Sequence, residues 1–285
     1  MGMTINWFPG HMAKTRRQIG ESLKLVDAVI EIRDARIVKS SANPQIDEIC
    51  KDKPRVILLN KSDLAEDKVT KEWIKKLTTD TVRPLAVNSI TGEGLKGIKP
   101  ILDELLKQKH DRQRKKGLVN IVTRVMVVGI PNVGKSSFIN KLAKNNIAKT
   151  GDRPGVTKSK QWIKTSLGIE LMDTPGVLWP RFEDETVGLN LAFTGAIKDE
   201  IMDIEELALR LVERLQINNA QRLMERYKLS EIMENPIDNM DNIGKKRGAV
   251  ISGGNIDYNR IAVMLLDEFR GGKLGSISLE RADEV

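Results

Sequence analysis

The sequence contains a single cysteine, Cys50, among 285 residues. No intramolecular disulfide can form, which is typical of proteins that work in a reducing compartment such as the cytosol. No apolar run approaches the roughly 18 residues that a membrane-spanning helix needs. Residues 1–12 also lack the apolar segment of a secretory signal. These absences argue against a disulfide-rich secreted domain and predict a cytoplasmic protein without a membrane partner. A monomer is expected, although nothing in the sequence determines the oligomeric state.

Aromatic residues make up only 4% of the chain, so few rings are available to stack on unpaired bases. Positive charge is abundant, with a formal net charge of +8. It is concentrated in three basic clusters: Lys14 with Arg16 and Arg17, the run from Lys107 through Lys116, and Lys245 with Lys246 and Arg247. Each cluster alone is most simply explained as solvated surface. Together they favour a polyanionic partner, and structured RNA fits best.

Short apolar runs alternate with amphipathic helical stretches over the first part of the chain. Nearly continuous apolar runs are typical of parallel strands buried on both faces. The predicted strands are Ala28 to Arg33, Val56 to Asn60, Leu85 to Ser89, Arg124 to Gly129, Gln161 to Thr165 and Ile169 to Asp173. Predicted helices include Asp67 to Leu77 and Leu95 to Lys109.

After Trp179 the periodicity is helical only. One predicted helix there is capped by Asp257 and stopped by Gly271 and Gly272. The predicted fold is therefore α/β, with a doubly wound, mainly parallel sheet over residues 1–179 and a smaller all-α domain over residues 180–285.

The segment from Gly129 to Ser136 matches the phosphate-binding pattern G-x-x-x-x-G-K-[ST], and it lies between a predicted strand and a predicted helix. Backbone N–H groups of such a loop cradle phosphates. Lys135 is predicted to reach the β- and γ-phosphates as a catalytic group, and Ser136 to ligate Mg²⁺. The other predicted nucleotide contacts in this loop are Asn132, Val133, Gly134 and Ser137.

The motif Asn60-Lys61-Ser62-Asp63 separates GTP from ATP. It follows a predicted strand, where ligand loops of open sheets belong. A carboxylate at Asp63 can accept hydrogen bonds from the N1–H and N2–H₂ groups of guanine, a donor pair that adenine lacks. A motif this short is weakly specific alone but strong beside a P-loop. Asn88 and Ser89 are predicted to support the base.

Asp173-Thr174-Pro175-Gly176 supplies the predicted γ-phosphate sensor. Asp173 is predicted to hold Mg²⁺ through water, and the Gly176 N–H to contact the γ-phosphate, so this loop should respond to hydrolysis. Thr157 is the natural second Mg²⁺ ligand between this motif and the P-loop, with Thr150 as a nearby competitor.

The order of these motifs is N-K-x-D, P-loop, threonine, D-x-x-G, whereas common G proteins begin with the P-loop. The chain resembles circularly permuted GTPases, and within them the ribosome biogenesis GTPase A family. The motifs that carry the resemblance are Trp7-Phe8-Pro9-Gly10-His11-Met12, Arg33-Asp34-Ala35-Arg36, Gly129 to Ser136, Pro154-Gly155-Val156-Thr157-Lys158, Asp173 to Gly176 and Thr194-Gly195-Ala196-Ile197-Lys198-Asp199.

The resemblance implies a bacterial GTPase that binds the large ribosomal subunit, through its rRNA and proteins, and promotes late assembly, with GTP hydrolysis driving release. It also implies a C-terminal domain similar to RNA-binding modules. It is least clear from Leu274 to Val285, where no role is assigned. The first alternative is a GTP-gated RNA-binding module whose hydrolysis is incidental. The second is a small-molecule phosphotransferase, which the guanine motif disfavours.

Two residues carry open alternatives. Val177 and Leu178 stand where many GTPases place a water-orienting glutamine. His11 is either the substitute, as the resemblance implies, or a packed turn residue; the other histidine, His110, is expected to be solvated. Asn132 either ligates K⁺ beside the phosphates or stabilises the turn of its own loop.

Overall fold

A computed structural model describes residues 17, 19–50, 53–143, 162–174 and 184–284. These residues form two compact units. The first takes the described residues up to Thr174 together with those from Ser278 onward, and the second is Asp184–Ile277.

The first unit is built on one six-stranded sheet. Its strands are β1 (Ala28–Asp34), β2 (Arg55–Asn60), β3 (Val82–Val87), β4 (Thr123–Val128), β5 (Trp162–Lys164) and β6 (Ile169–Asp173). Their spatial order is β3-β2-β1-β4-β6-β5, and every pairing is parallel except that of β5 with β6. The predicted doubly wound, mainly parallel sheet is thus confirmed.

Helices cover the faces of this sheet. They are α1 (Pro44–Cys50), α2 (Asp67–Leu77), α3 (Ile98–Leu105), α4 (Lys107–Lys115) and α5 (Lys135–Leu142), with 3₁₀ turns at Ser62–Leu64 and Leu95–Gly97. Helix α2 has the predicted bounds because its apolar side chains Val69 and Trp73, four residues apart, share one buried face. A helical segment at residues 19–23 packs Ile19 and Leu23 into the core beside β1 and β4.

Two predicted elements differ from the structure. The helix expected from Leu95 to Lys109 is a 3₁₀ turn followed by two helices, with a break at Leu106. Strand β3 ends at Val87, two residues before the predicted end. Asn88 and Ser89 consequently lie in the loop after the strand, where they can face a ligand.

The parallel arrangement places the loops after β1, β2, β3, β4 and β6 at one edge of the sheet. All of these strands run in the same direction, so their carboxyl ends meet there. The N-K-x-D motif, the Asn88 loop, the P-loop and Asp173 are therefore neighbours despite their separation along the chain.

The second unit is entirely helical. Its helices are α6 (Glu185–Phe193), α7 (Ile204–Asn218), α8 (Ala220–Tyr227), α9 (Pro236–Arg247) and α10 (Tyr258–Arg270). Helix α7 contacts all the others in this unit, because Leu207, Leu211 and Leu215 form its fully buried stripe. The predicted cap of α10 is confirmed: the Asp257 carboxylate accepts a hydrogen bond from the Arg260 N–H, and the helix ends before Gly271.

The end of the chain returns to the first unit. Residues from Ser278 onward, ending in a 3₁₀ turn at Ala282–Glu284, belong with the sheet rather than with the helices. The prediction from sequence assigns all of residues 180–285 to the helical domain. That boundary is corrected here, because backbone and side-chain hydrogen bonds tie these residues to the loop after β1 and to α2. None of the described helices is long and apolar enough to cross a membrane.

Candidate functional site

The P-loop takes its shape from two glycines, Gly129 directly after β4 and Gly134 directly before α5. Gly129 has φ 154°, and a Cβ on it would lie 2.6 Å from the carbonyl oxygen of Ile32 in β1. Gly134 has φ 101°, and a Cβ there would collide with the Asn60 side chain. Only glycine fits both positions. Val133, predicted to contact nucleotide, is 2% exposed, so its side chain belongs to the core and its backbone carries its contribution.

Lys135 is the first residue of α5, immediately after the loop. Its Nζ donates to the carbonyl oxygens of Gly129, at 2.9 Å, and Ile130, at 2.6 Å. Burial lowers the pKa of Lys135 to about 8, while the nearby charge of Asp173 acts in the opposite direction. The ammonium is thus held inside the loop, where an anionic phosphate would compensate its lost hydration.

Asn60 joins three loops of the site. Its Nδ2 donates to the carbonyl oxygen of Val133 in the P-loop, at 2.7 Å. Its Oδ1 accepts a hydrogen bond from the Ser89 N–H, at 2.9 Å. With both ends of its amide bonded and 2% exposure, Asn60 holds the P-loop and the Asn88 loop beside the turn Ser62–Leu64. Its predicted contact with nucleotide stays a prediction.

Lys61 follows in a left-handed conformation (φ 59°, ψ 36°), which is unusual for a residue other than glycine. Its Nζ has two acceptors, each 2.9 Å away: the Asp34 carboxylate at the end of β1 and the carbonyl oxygen of Asn132 in the P-loop. Lys61 therefore connects the guanine motif to the phosphate loop by a charge-assisted bridge.

Asp34 is the anchor of that bridge and is 1% exposed. Its carboxylate also accepts hydrogen bonds from the Arg36 guanidinium, at 3.0 and 2.8 Å. Burial by itself raises the pKa of Asp34, but the charges and hydrogen bonds of Arg36 and Lys61 outweigh it and hold the pKa well below its ordinary value. The carboxylate is therefore ionised throughout the neutral range.

The remaining base-recognition residues lie beside this bridge. Asp63 is exposed in the 3₁₀ turn Ser62–Leu64, which the Ser62 hydroxyl ties to the carbonyl oxygen of Val87 at 3.0 Å. The Asn88 side chain accepts hydrogen bonds from the N–H groups of Ile90 and Thr91 and so shapes its own loop. The hydroxyl of Ser89 is buried and has no hydrogen-bond partner in the part of the chain that the structure describes.

Two of the predicted Mg²⁺ ligands, Asp173 and Ser136, lie at the same edge of the sheet. Asp173 ends β6, paired with Val127 of β4, and Ser136 lies in the first turn of α5, exposed. Burial raises the pKa of Asp173, against the charge of Lys135 and a backbone hydrogen bond from Thr174. Carboxylate and hydroxyl oxygens are hard ligands that suit Mg²⁺, which usually takes only one or two protein ligands and completes its shell with phosphates and water. These two residues fit the ion.

Other predicted site residues lie outside the described residues. These are His11, Thr157 with its competitor Thr150, Gly176, and Val177 and Leu178 at the position of the missing glutamine. Among the described residues, no group of three or more His, Cys, Asp or Glu side chains is arranged to hold a metal ion. Ser137 is half-buried in the first turn of α5.

His110 was expected to be solvated, and that expectation is wrong. Its side chain is buried, and its Nε2 lies 3.5 Å from the Thr123 hydroxyl at the start of β4. The start of β4 is at the opposite end of that strand from the P-loop. His110 therefore takes no part in the nucleotide site.

Comparisons with known proteins identify the family. Ribosome biogenesis GTPase A of Bacillus cereus is 51% identical over 282 residues, which cover 99% of this chain and 95% of that protein. The chain belongs to the ribosome biogenesis GTPase A family. The family member of Thermotoga maritima is 32% identical over 99% of this chain and 96% of its own length.

The solved structures agree with this membership. The GNP-bound YlqF of T. maritima is 27% identical, covers 94% of this chain and 98% of its own, and superimposes with a TM-score of 0.62. Residues 124–239 also match a family model described as "50S ribosome-binding GTPase". Like other ribosome biogenesis GTPase A proteins, the chain is a guanine-nucleotide-binding GTP hydrolase of circularly permuted motif order, with a role in ribosome biogenesis.

Two residues without a predicted role have bonding partners near the site: Asp34, which pairs with Lys61, and Glu280, which bonds to the loop after β1. Asp34 stood in a family motif without a role, yet a charged residue ending a buried strand next to the N-K-x-D strand is a detectable signal. Glu280 had no such signal, since its partners at Lys39 and Ser40 are 240 residues away.

Proposed function

We propose that this chain binds GTP and Mg²⁺ at the carboxyl edge of its sheet, associates with the large ribosomal subunit during late assembly, and is released by hydrolysis. The observation that carries the nucleotide site is the bridging of loops by Asn60 and Lys61, which places the base-recognition turn against the P-loop. The family name and the description of the matching model support the ribosomal partner. We place this activity in the cytoplasm, where ribosomal subunits assemble.

Guanine recognition is assigned to Asp63 and Ser89. Asp63 is exposed in the turn Ser62–Leu64, and its carboxylate would accept hydrogen bonds from both donors of the guanine edge. The Ser89 hydroxyl is buried without a partner among the described residues. Since buried polar groups are nearly always paired, a base carbonyl oxygen bound there would supply the missing partner.

Phosphate binding and hydrolysis are assigned to Lys135, Ser136 and Asp173. Lys135 would exchange its loop carbonyls for β- and γ-phosphate oxygens, while Ser136 and Asp173, with Thr157, would hold Mg²⁺. The ion would supply charge neutralisation of the phosphates. A water molecule attacks the γ-phosphorus, the bond to the β–γ bridging oxygen breaks, and GDP and phosphate leave. His11 is proposed to orient that water.

Asn132 is proposed to ligate K⁺ beside the phosphates. Its backbone φ of 59° already favours asparagine at this position, so the turn-stabilising alternative explains the residue type without an ion. Turnover in K⁺ and in Na⁺ at matched ionic strength separates the two. Faster turnover in K⁺ is expected, and equal rates would leave the turn as the reason for Asn132.

Two exposed basic surfaces are proposed to contact rRNA. Helix α4 presents Lys107, Arg112 and Lys115 to solvent, and Lys107 also lines a cleft of about 230 Å³. Helix α9 presents Lys245 and Lys246 in its last turn. Surfaces of this kind bind structured RNA through its phosphates.

Co-sedimentation tests the partner and its release. The full chain is mixed with large subunits and with precursors isolated from cells depleted of the protein, in GTP, GDP or a non-hydrolysable GTP analogue. Binding should be strongest with the analogue and weakest with GDP. Equal sedimentation in all three would remove nucleotide-driven release, and no sedimentation in any would remove the ribosomal partner.

The observation that favours the alternative, a GTP-gated RNA-binding module, is the exposed basic surface of helices α4 and α9. Multiple-turnover hydrolysis with and without subunits distinguishes it. Stimulation by subunits supports a GTPase whose hydrolysis is part of its cycle, whereas an unchanged rate with intact binding supports the module.

A further inference from the structure

The last described residues of the chain, Ser278–Glu284, form a segment that we call the C-terminal tail. Its Glu280 carboxylate accepts hydrogen bonds from the backbone N–H groups of Lys39, at 2.6 Å, and Ser40, at 3.0 Å, and from the Ser40 hydroxyl. The N–H of Leu279 donates to the carbonyl oxygen of Arg36, at 2.9 Å. The tail is thus bonded along its backbone and side chain to the loop that follows β1.

Contacts with α2 hold the tail from its other side. The Trp73 indole N–H donates to the carbonyl oxygen of Glu280, and the Lys76 ammonium to that of Ala282, at 3.3 and 2.7 Å. Ala282 joins the apolar cluster that contains Val69 and Trp73. Glu280 itself is only 8% exposed. A buried carboxylate with this many donors is a fixed anchor rather than a surface residue.

The loop that the tail holds, residues 35–43, leads directly to the guanine site. At its start the Ala35 N–H donates to the carbonyl oxygen of Asn60, at 2.8 Å. Further along, the Ser41 hydroxyl accepts a hydrogen bond from the Asp34 N–H, at 3.1 Å. Arg36, 1% exposed, pairs with the Asp34 carboxylate from within the loop. The position of the Asp34 carboxylate is therefore set by the conformation of this loop.

Asp34 in turn fixes Lys61 against the P-loop carbonyl of Asn132. A continuous series of contacts consequently runs from Glu280, through the loop and Asp34, to the residue that links guanine motif and phosphate loop. The Lys61 Nζ lies 2.9 Å from each of its two acceptors, so a shift of the Asp34 carboxylate would loosen the link to the P-loop.

We propose that Glu280 is a positioning residue of the guanine-nucleotide site, acting through the loop after β1 and through Asp34 on Lys61. The tail completes the site although it is separated from the sheet's last strand by the whole helical unit. This inference rests on the assignment of Asn60, Lys61 and Asp63 to guanine recognition under the proposed function.

The test is a double-mutant cycle on nucleotide binding by the full chain. GDP affinity and GDP dissociation rate are measured for the wild type, Glu280→Gln, Lys61→Met and the double variant, at a temperature where all four are folded by circular dichroism. Glu280→Gln should weaken GDP binding by about fivefold or more, as is usual for coupled sites. In the Lys61→Met background it should have no further effect, because the group through which it acts is gone.

The matched control is Glu268→Gln in the helical unit. Glu268 is 6% exposed and is likewise held by buried contacts, in its case an ion pair with Arg226. It should lower thermal stability and leave GDP affinity unchanged. Should Glu280→Gln fail to fold, Ser40→Ala removes one tail bond more mildly and should weaken GDP binding in the same direction.

Wild-type GDP affinity in Glu280→Gln, or effects of Glu280→Gln and Lys61→Met that multiply in the double variant, would overturn the positioning role. Failure of the guanine assignment looks different: Lys61→Met and Asp63→Asn would then both bind GDP like the wild type. In that case the proposed route from Glu280 to the nucleotide is overturned as well, and the thermal midpoints of the variants would measure only the tail's contribution to stability.

Discussion

At the scale of single residues, the base-recognition turn depends on one unusual backbone conformation. Lys61 is left-handed, a state that costs a non-glycine residue of order 1 kcal/mol or more. The surroundings over-determine it, since its Nζ bridges Asp34 and the P-loop while the neighbouring Asn60 is bonded at both ends. Asp63, two residues on, is thereby presented to solvent in a fixed direction.

Guanine selectivity should therefore rest on Asp63. A site built on paired hydrogen bonds discriminates by about 10⁴ or more against a ligand that lacks the donors. Asp63→Asn should weaken GTP binding and improve binding of xanthosine triphosphate, which a competition titration measures. If the wild type bound ATP as well as GTP, the assignment of this motif would be wrong.

Asp34 should make the stability of the protein depend on pH. Its pKa is depressed in the folded state, so its stabilising contribution is present above its ordinary value of 3.8 and is lost as the pH falls below that value. Asp34→Asn leaves Arg36 buried without its counter-charge and should cost about 3–5 kcal/mol at neutral pH. The difference in unfolding free energy between the wild type and Asp34→Asn should therefore become smaller as the pH falls.

Urea unfolding of the wild type and Asp34→Asn, from about pH 7 to about pH 3, measures this difference. Glu231→Gln, at an exposed position of the other unit, is the control for general acid sensitivity. A gap between wild type and Asp34→Asn that stays constant over this range would mean that Asp34 titrates at its ordinary value.

At the scale of secondary-structure elements, the last turn of helix α9 contains both solvent-exposed basic residues and a basic residue that packs against the protein. Lys245 and Lys246 are exposed, but Arg247 lies over the Tyr227 ring and donates to the carbonyl oxygen of Arg226. Only the two lysines are free to meet RNA phosphates. Neutralising Arg247 as well would confuse lost binding with lost packing.

The double variant Lys245→Gln, Lys246→Gln should bind ribosomal subunits more weakly. The salt slope, which is the slope of the logarithm of the binding constant against the logarithm of the salt concentration, should fall in magnitude by roughly one for each lysine that contacts a phosphate. The matched control is Lys68→Gln with Lys75→Gln on α2, which removes the same charge from exposed positions outside the basic clusters. Equal salt slopes for both double variants and the wild type would assign the α9 lysines to solvated surface.

The elements that sequence predicted best are those whose signal is local. Buried parallel strands appear in the sequence as continuous apolar runs. The two P-loop glycines belong to a short recognisable motif, and the structure requires them because Ile32 and Asn60 lie too close for a side chain. The break at Leu106 was missed because apolar spacing alone does not show where one helix stops and the next begins. The burial of His110 could not be predicted because its neighbours in α4 are charged and its contact with Thr123 joins two different elements.

The candidate site was predictable motif by motif but not as a connected structure. Asn60, Lys61 and Asp63 were found together, yet the bonds that tie Asn60 to Ser89 and Lys61 to Asp34 join segments far apart in sequence. These long-range pairs depend on the order of the strands in the sheet, which cannot be read from the sequence. The contact of Glu280 with Ser40 spans 240 residues and has no local pattern at either end.

At the scale of the whole molecule, hydrolysis should depend on the partner. The isolated protein should turn over slowly, because no carboxamide follows the D-x-x-G motif. Completing a GTPase site in trans is worth roughly 10³–10⁵ in rate, so stimulation by the large subunit should be strong. His11→Ala should reduce the stimulated rate by roughly 10² or more and leave GTP affinity nearly unchanged, as expected of a group that acts in the transition state.

Three measurements on His11→Ala decide its role: GTP affinity, thermal midpoint and subunit-stimulated turnover. A packed histidine predicts that stability and affinity fall together. Unaltered stimulated turnover in a well-folded variant would end the catalytic proposal.

The return of the C-terminal tail to the first unit also sets the order in which the protein can mature. Lys39 and Glu280 are 241 positions apart, and chains are synthesised at about 5–20 residues per second, so roughly 12–50 s of translation separate these two partners. Until Glu280 has been synthesised, the loop after β1 lacks this anchor, so the segment that carries Arg36 and supports the Asp34 carboxylate takes its last bonds only late in translation.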